Sequence, residues 1–129
     1  MTTQTPAFRE RYLADSTATA SPARLLVMLY DRLVLDLQRG EQSLLAEGRA
    51  AASEHLQHAQ EIIMELWTSL DLDAWDGARG LASIYSFLLT ELVQANVAGD
   101  AARVKTCRGL VEPLRDAWRE AAIAPAKAA

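Results

Sequence analysis

Apolar side chains recur every three or four residues along four stretches of this chain, and no stretch shows the strict alternation of a half-buried strand. The first stretch is SPARLLVMLYDRLVLDLQ, Ser21 to Gln38. At about 100° per residue, Leu26, Leu29, Tyr30, Leu33 and Leu37 form one stripe, which Leu44 extends. Ser21 followed by Pro22 reads as a hydroxyl cap and a first-turn proline, and Gly48 as the stop. The second stretch carries Leu56, Ala59, Ile63, Leu66, Trp67 and Leu70 and ends near Asp71, before a linker over 72–80. The third presents Leu81, Ile84, Tyr85, Leu88, Leu89 and Leu92 and stops at Gly99. Asp100 caps the fourth, whose seam is Val104, Cys107, Val111, Leu114 and Trp118. Pro113 lies inside that helix and predicts a kink, because it removes one backbone bond and crowds the Gly109 carbonyl. Four helices of similar length with short connections predict an all-α, antiparallel up-and-down four-helix bundle over residues 21–122. Residues 1–20, rich in Thr, Ala and Ser, read as a flexible N-terminal arm, and residues 123–129 as a disordered tail.

The first helix bears more apolar residues than one stripe needs. Val27 and Val34 lie on a flank, and Met28 and Leu35 point nearly away from the stripe. Ile62, Met64, Phe87, Val93 and Leu110 are likewise off the seams of their helices. Together they predict grooves that accept another amphipathic helix or a copy of the same bundle.

Composition narrows the field. The chain has 129 residues, half of them hydrophobic, and a net charge of −4, which suits one domain with one core. Lysine and arginine are scattered without a basic stripe, so nucleic acid and anionic membrane are not expected partners. The most hydrophobic window is taken to be the first helix, where Arg24, Asp31, Arg32 and Asp36 argue against membrane insertion. Cys107 is the only cysteine, and the N-terminus lacks a signal-type apolar run, so a cytoplasmic protein is expected.

Candidate chemistry is sparse. His55 and His58 share a helix with Glu54 and Glu61, a pairing that a surface metal site or a phosphorelay histidine would need in part. No Glu-x-x-His pair occurs, and the neighbours are anionic where a phosphoryl acceptor needs cations, so a solvated polar face is the simpler account. Cys107 reads as a small buried thiol. Asp71, Asp73 and Asp76 read as caps for the third helix, and Asn96 as a buried amide tying down the following turn. No catalytic, cofactor or metal residues are assigned, and no enzyme is expected. A histidine phosphotransfer-type bundle and a self-associating structural bundle stay open as alternatives.

Four segments in order carry a resemblance. Ala20-Ser21-Pro22 with Met28-Leu29-Tyr30-Asp31, then Ile62-Ile63, Glu65-Leu66 and Ser69-Leu70-Asp71, fall in the first two helices. Tyr85, Phe87, Leu92 and Ala95-Asn96 fall in the third, and Leu114-Arg115-Asp116-Ala117-Trp118 close the fourth. Over residues 20–119 this resembles the flagellin-specific export chaperones, the FliS family. Arg32, Ala74-Trp75, Gly80 and Pro113 depart from the usual pattern. The resemblance implies a cytoplasmic bundle that binds the disordered C-terminal segment of flagellin, prevents premature polymerisation and delivers it to a flagellar export gate component. It implies client contacts at Val27, Met28, Tyr30, Val34, Leu35, Ile62, Phe87 and Leu110, with Tyr12 and Leu13 of the arm beside them. The expected state is a monomer or weak homodimer.

Overall fold

A computed structural model describes residues 21–123. The expectations for the arm, including Tyr12 and Leu13, and for residues 124–129 lie outside the described residues. Four helices account for nearly all of what is described: α1 Pro22–Ala46, α2 Arg49–Thr68, α3 Ala78–Ala98 and α4 Ala101–Ile123. Ile123, assigned to the tail from sequence, is the last residue of α4.

Local chemistry sets the ends. The Ser21 hydroxyl accepts the Arg24 backbone N–H at 3.1 Å, and Pro22 fills the first turn, where its missing donor is harmless. At the other end of α1, Gly48 N–H donates to the Ser43 carbonyl at 2.8 Å with φ +102°, a left-handed backbone that a side chain would strain. Gly99 repeats the device at φ +66°, and Asp100 N–H reaches back to the Ala95 carbonyl at 3.0 Å. The Asp100 carboxylate then accepts the N–H groups of Ala102 and Arg103, opening α4 as the sequence suggests.

The segment between α2 and α3 departs from expectation. α2 ends at Thr68 and α3 begins at Ala78, three residues before Leu81. Gly77 stands at the start of α3 without a side-chain cap. Asp71 instead accepts the Asp73 N–H at 2.9 Å, and Asp73 pairs with Arg79 at 3.3 Å. The aspartates shape the connection itself, because a short carboxylate bonds more readily two residues on than across a loop.

The helices form a ring in which each touches its two neighbours, and α1 packs most closely, against both α2 and α4. Connections as short as Glu47-Gly48 and Gly99-Asp100 force the helices they join to run antiparallel. The core is the set of expected seams: Leu33 and Leu37 from α1, Leu56 and Ile63 from α2, Leu88 and Leu92 from α3, Val104, Cys107 and Val111 from α4. Because α1 is clasped from two sides, its buried residues, Tyr30, Leu33, Val34, Asp36, Leu37, Gly40 and Ser43, sweep about half the helix circumference at 100° per residue. That wider arc absorbs part of the apolar surplus. Val34 is 3% exposed and Ile62 6%, so both belong to the core and not, as read from sequence, to the surface.

α1 and α2 approach so closely at Gly40 that a Cβ there would stand 2.6 Å from Leu56 Cδ2. α4 runs unbroken through Pro113, so the proline does not end the helix, and Gly109 and Pro113 both face solvent, where water can serve the freed carbonyl. α3, and not α1, is the one helix among the described residues long and apolar enough to cross a membrane, at a mean hydropathy of 1.2. It turns Leu81, Tyr85, Leu88, Leu92 and Ala95 into the core.

Candidate functional site

The surface carries apolar residues in three grooves. The first runs between the start of α1 and the end of α4, where Val27 and Met28 meet Ala122 and Ile123 around about 590 Å³ of space. Met28 is 61% exposed, whereas Val27 is half-buried. An ion pair between Asp31 and Arg119 at 2.6 Å forms its polar edge.

The second groove, about 450 Å³, opens at the same end of the bundle, between α1 and the connection that follows α2. Leu25, Leu26, Leu29, Leu70 and Trp75 form its sides, and Tyr85 and Trp118 its floor. The Trp75 ring meets Trp118 edge-on at 6.3 Å, and Trp118 lies 6.4 Å from Tyr30. Beneath them the hydroxyls of Tyr30 and Tyr85 are 2.7 Å apart, a bond across the core between helices that are not neighbours in the ring. Burial raises both phenols above their ordinary range. Tyr30, placed among the client contacts from sequence, is fully buried, so its part is to hold up this floor.

The third groove, about 750 Å³, follows the seam of α2 and α3, with Met64, Leu89 and Val93 as its apolar floor. Of the remaining sequence candidates, Leu35 is half-buried, while Phe87 at 46% and Leu110 at 40% are exposed. Phe87 and Leu110 line none of these three grooves. The structure thus joins Val27 with Met28, withdraws Tyr30, Val34 and Ile62 into the core, and leaves Phe87 and Leu110 apart.

Sequence reading missed Leu25, Leu70 and Trp75. The available signal was Trp75 itself, a large indole amid aspartates in a linker, which has to find another surface to lie on. It packs so tightly over Gly77 that a Cβ there would fall 1.9 Å from the ring.

The polar face of α2 is also less solvated than expected. His58 Nδ1 hydrogen-bonds the carboxylate of Asp36, which is 1% exposed and also faces Arg32 Nε at 3.4 Å. From sequence Asp36 counts only as a charge against membrane insertion, because a single packed stripe on α1 would leave it facing solvent. Among the described residues no group of three His, Cys, Asp or Glu side chains is placed to hold a metal ion. Burial pushes the Cys107 thiol up to about 12, which suppresses the nucleophilic thiolate at neutral pH. Asn96 is half-exposed, and its backbone carbonyl, not its amide, ties the turn by accepting Arg49 Nε at 3.1 Å.

The arrangement can bind apolar helices and has no catalytic constellation among the described residues. The family model described as "Flagellar protein FliS" matches residues 4–125. A flagellar secretion chaperone FliS from Bacillus subtilis is 30% identical over 110 residues, covering 85% of this chain and 82% of that protein. Its Escherichia coli counterpart is 28% identical over 123 residues, covering 94% and 90%. The Salmonella typhimurium counterpart is 28% identical over 116 residues, covering 88% and 86%.

Proposed function

The chain belongs to the FliS family of flagellar proteins, and from that membership and its surface we propose that it is a non-enzymatic secretion chaperone that binds the C-terminal segment of flagellin. In this reading it acts in the cytoplasm, keeps newly made flagellin from polymerising, and presents it to a component of the flagellar type III export gate. The observation that carries the reading is the pair of apolar grooves at one end of the bundle, with Leu25 42% and Met28 61% exposed.

The physical case is direct. A client segment that forms helices in the filament buries an apolar face there, and the same face fits grooves lined by Leu25, Leu29, Met28 and Trp75. Ordering a disordered segment uses up about 2–5 kcal/mol of the gross interaction. Wrapping over more than one groove offsets that while leaving each local contact weak enough to peel off at export.

Isothermal titration of the full chain with a flagellin C-terminal peptide tests the proposal. Saturable one-to-one binding is expected, weakened at least tenfold by Leu25→Glu or Met28→Glu. Absence of binding, or binding indifferent to both substitutions, would overturn it. Sedimentation equilibrium of the free protein separates client binding from burial of the same surface against a second copy.

A further inference from the structure

We propose that the groove between α2 and α3 is a second docking site, for a cationic amphipathic helix belonging to a protein other than the client. Its floor is Met64 and Val93, half exposed each, with Leu89 between them. Its α2 edge is lined by Glu61 and Glu65. Neither glutamate has an ion-pair partner among the described residues, whereas Arg79, Arg103, Arg108, Arg115 and Arg119 are all engaged by carboxylates elsewhere. The only arginine on α2, Arg49, stands at its first residue and donates to the Asn96 carbonyl.

The opposite edge differs. Between Arg79 and Asp100, α3 carries a single charged residue, Glu91, and that is held by Arg103 at 3.0 Å. The groove therefore has an apolar floor, one acidic edge without counter-charge and one neutral edge. Glu54 extends the acidic edge, since steps of seven and eleven residues fall on nearly one helix face. A complementary occupant is a helix with an apolar seam and lysine or arginine along one flank only. The groove's α2 wall, Gln57 to Ser69, spans about 18 Å at 1.5 Å per residue, so it takes roughly three turns. The client surface proposed above lies at the start of α1 and is lined by other residues, apart from Ser69 at the shared corner.

The probe is an 18-residue leucine–lysine amphipathic peptide, dye-labelled, titrated against the full chain by fluorescence anisotropy beside a leucine–glutamate peptide with the same apolar face. The cationic peptide is expected to bind at least tenfold more tightly. Glu61→Lys with Glu65→Lys should cancel that preference, and Met64→Asp should weaken both peptides. Glu47→Lys with Glu120→Lys makes the same change in net charge away from the groove and should leave binding intact. Equal loss in that control would reduce the effect to bulk charge and overturn the proposal. Displacement of the cationic peptide by excess flagellin C-terminal peptide would hand the groove to the client and overturn it as well. Protein dimers that Met64→Asp dissolves would do so in favour of a second copy.

Discussion

Removing one hydroxyl from the Tyr30–Tyr85 pair should do more harm than removing both. The two oxygens are 2.7 Å apart, and the residues are 0% and 2% exposed, so neither hydroxyl can turn to bulk water. Trp118 Nε1–H, buried beside Tyr30, can only donate, so it gives neither hydroxyl proton a replacement acceptor. Tyr85→Phe therefore leaves the Tyr30 hydroxyl unpaired, at about 1–3 kcal/mol, and Tyr30→Phe does the same to Tyr85. With both hydroxyls gone, an apolar pair of similar shape remains and the loss should fall below about 1 kcal/mol. The cycle should thus show a coupling of at least about 1 kcal/mol. Urea unfolding followed by circular dichroism at pH 7 measures it, with an unchanged slope confirming that compactness is unaffected. The reasoning fails if each single variant loses less than 0.5 kcal/mol, roughly the scatter of additivity, or if the double variant loses the sum.

Three further outcomes follow from the same structure. Val34→Glu should melt the bundle cooperatively at a far lower temperature, because a carboxylate enters a 3% exposed site, while Met28→Glu at 61% exposure should leave thermal unfolding within about 0.5 kcal/mol. Gly40→Ala should destabilise by about 1 kcal/mol in urea: the new methyl meets Leu56 Cδ2 at 2.6 Å, which outweighs the gain in helix propensity. Stability should be flat from pH 7 to 9 and fall above it. The folded state holds the Cys107 proton up to about 12 while the unfolded thiol releases it near 9.0, so the unfolded state binds fewer protons as pH rises. Both tyrosines extend the loss above pH 10 in the same sense, and Cys107→Ala should remove its early part, as urea midpoints across pH 8–11 will show.

Much of this architecture is legible in periodicity, because the seams around Leu33, Leu56, Leu88 and Val104 are set by a local 3.6-residue repeat. The ends are legible where a side chain acts within three residues of its own position, as at Ser21 and Asp100. What periodicity cannot supply is how many neighbours a helix has. α1 is clasped by two, so Val34 and Asp36 are buried although each lies off the stripe that a single interface would need. Ile62 was misplaced for a related reason, since a small rotation of α2 moves it from flank to core. The candidate site was legible at Met28, whose 61% exposure follows from the α1 pattern, and at Val27 on the half-buried flank beside it. It was illegible at Trp75 and Leu70, because their place depends on how a connection folds back onto Trp118, and no repeat governs a connection.

The ring closes through α1 and α4, the first and last helices, and that has a consequence in time. Ribosomes add about 5–20 residues per second, so the roughly 80 residues between the end of α1 and the end of α4 take about 4–16 s to appear. Helices form in microseconds or less. α1 can therefore pair with α2 as a hairpin long before its other flank meets α4, and that flank waits bare, among the ribosome's other products, for seconds. A chain from this family would itself pass through the condition it is proposed to relieve in its client. The α1–α2 seam, tightened by Gly40 against Leu56, is the part of the molecule that must hold during that interval.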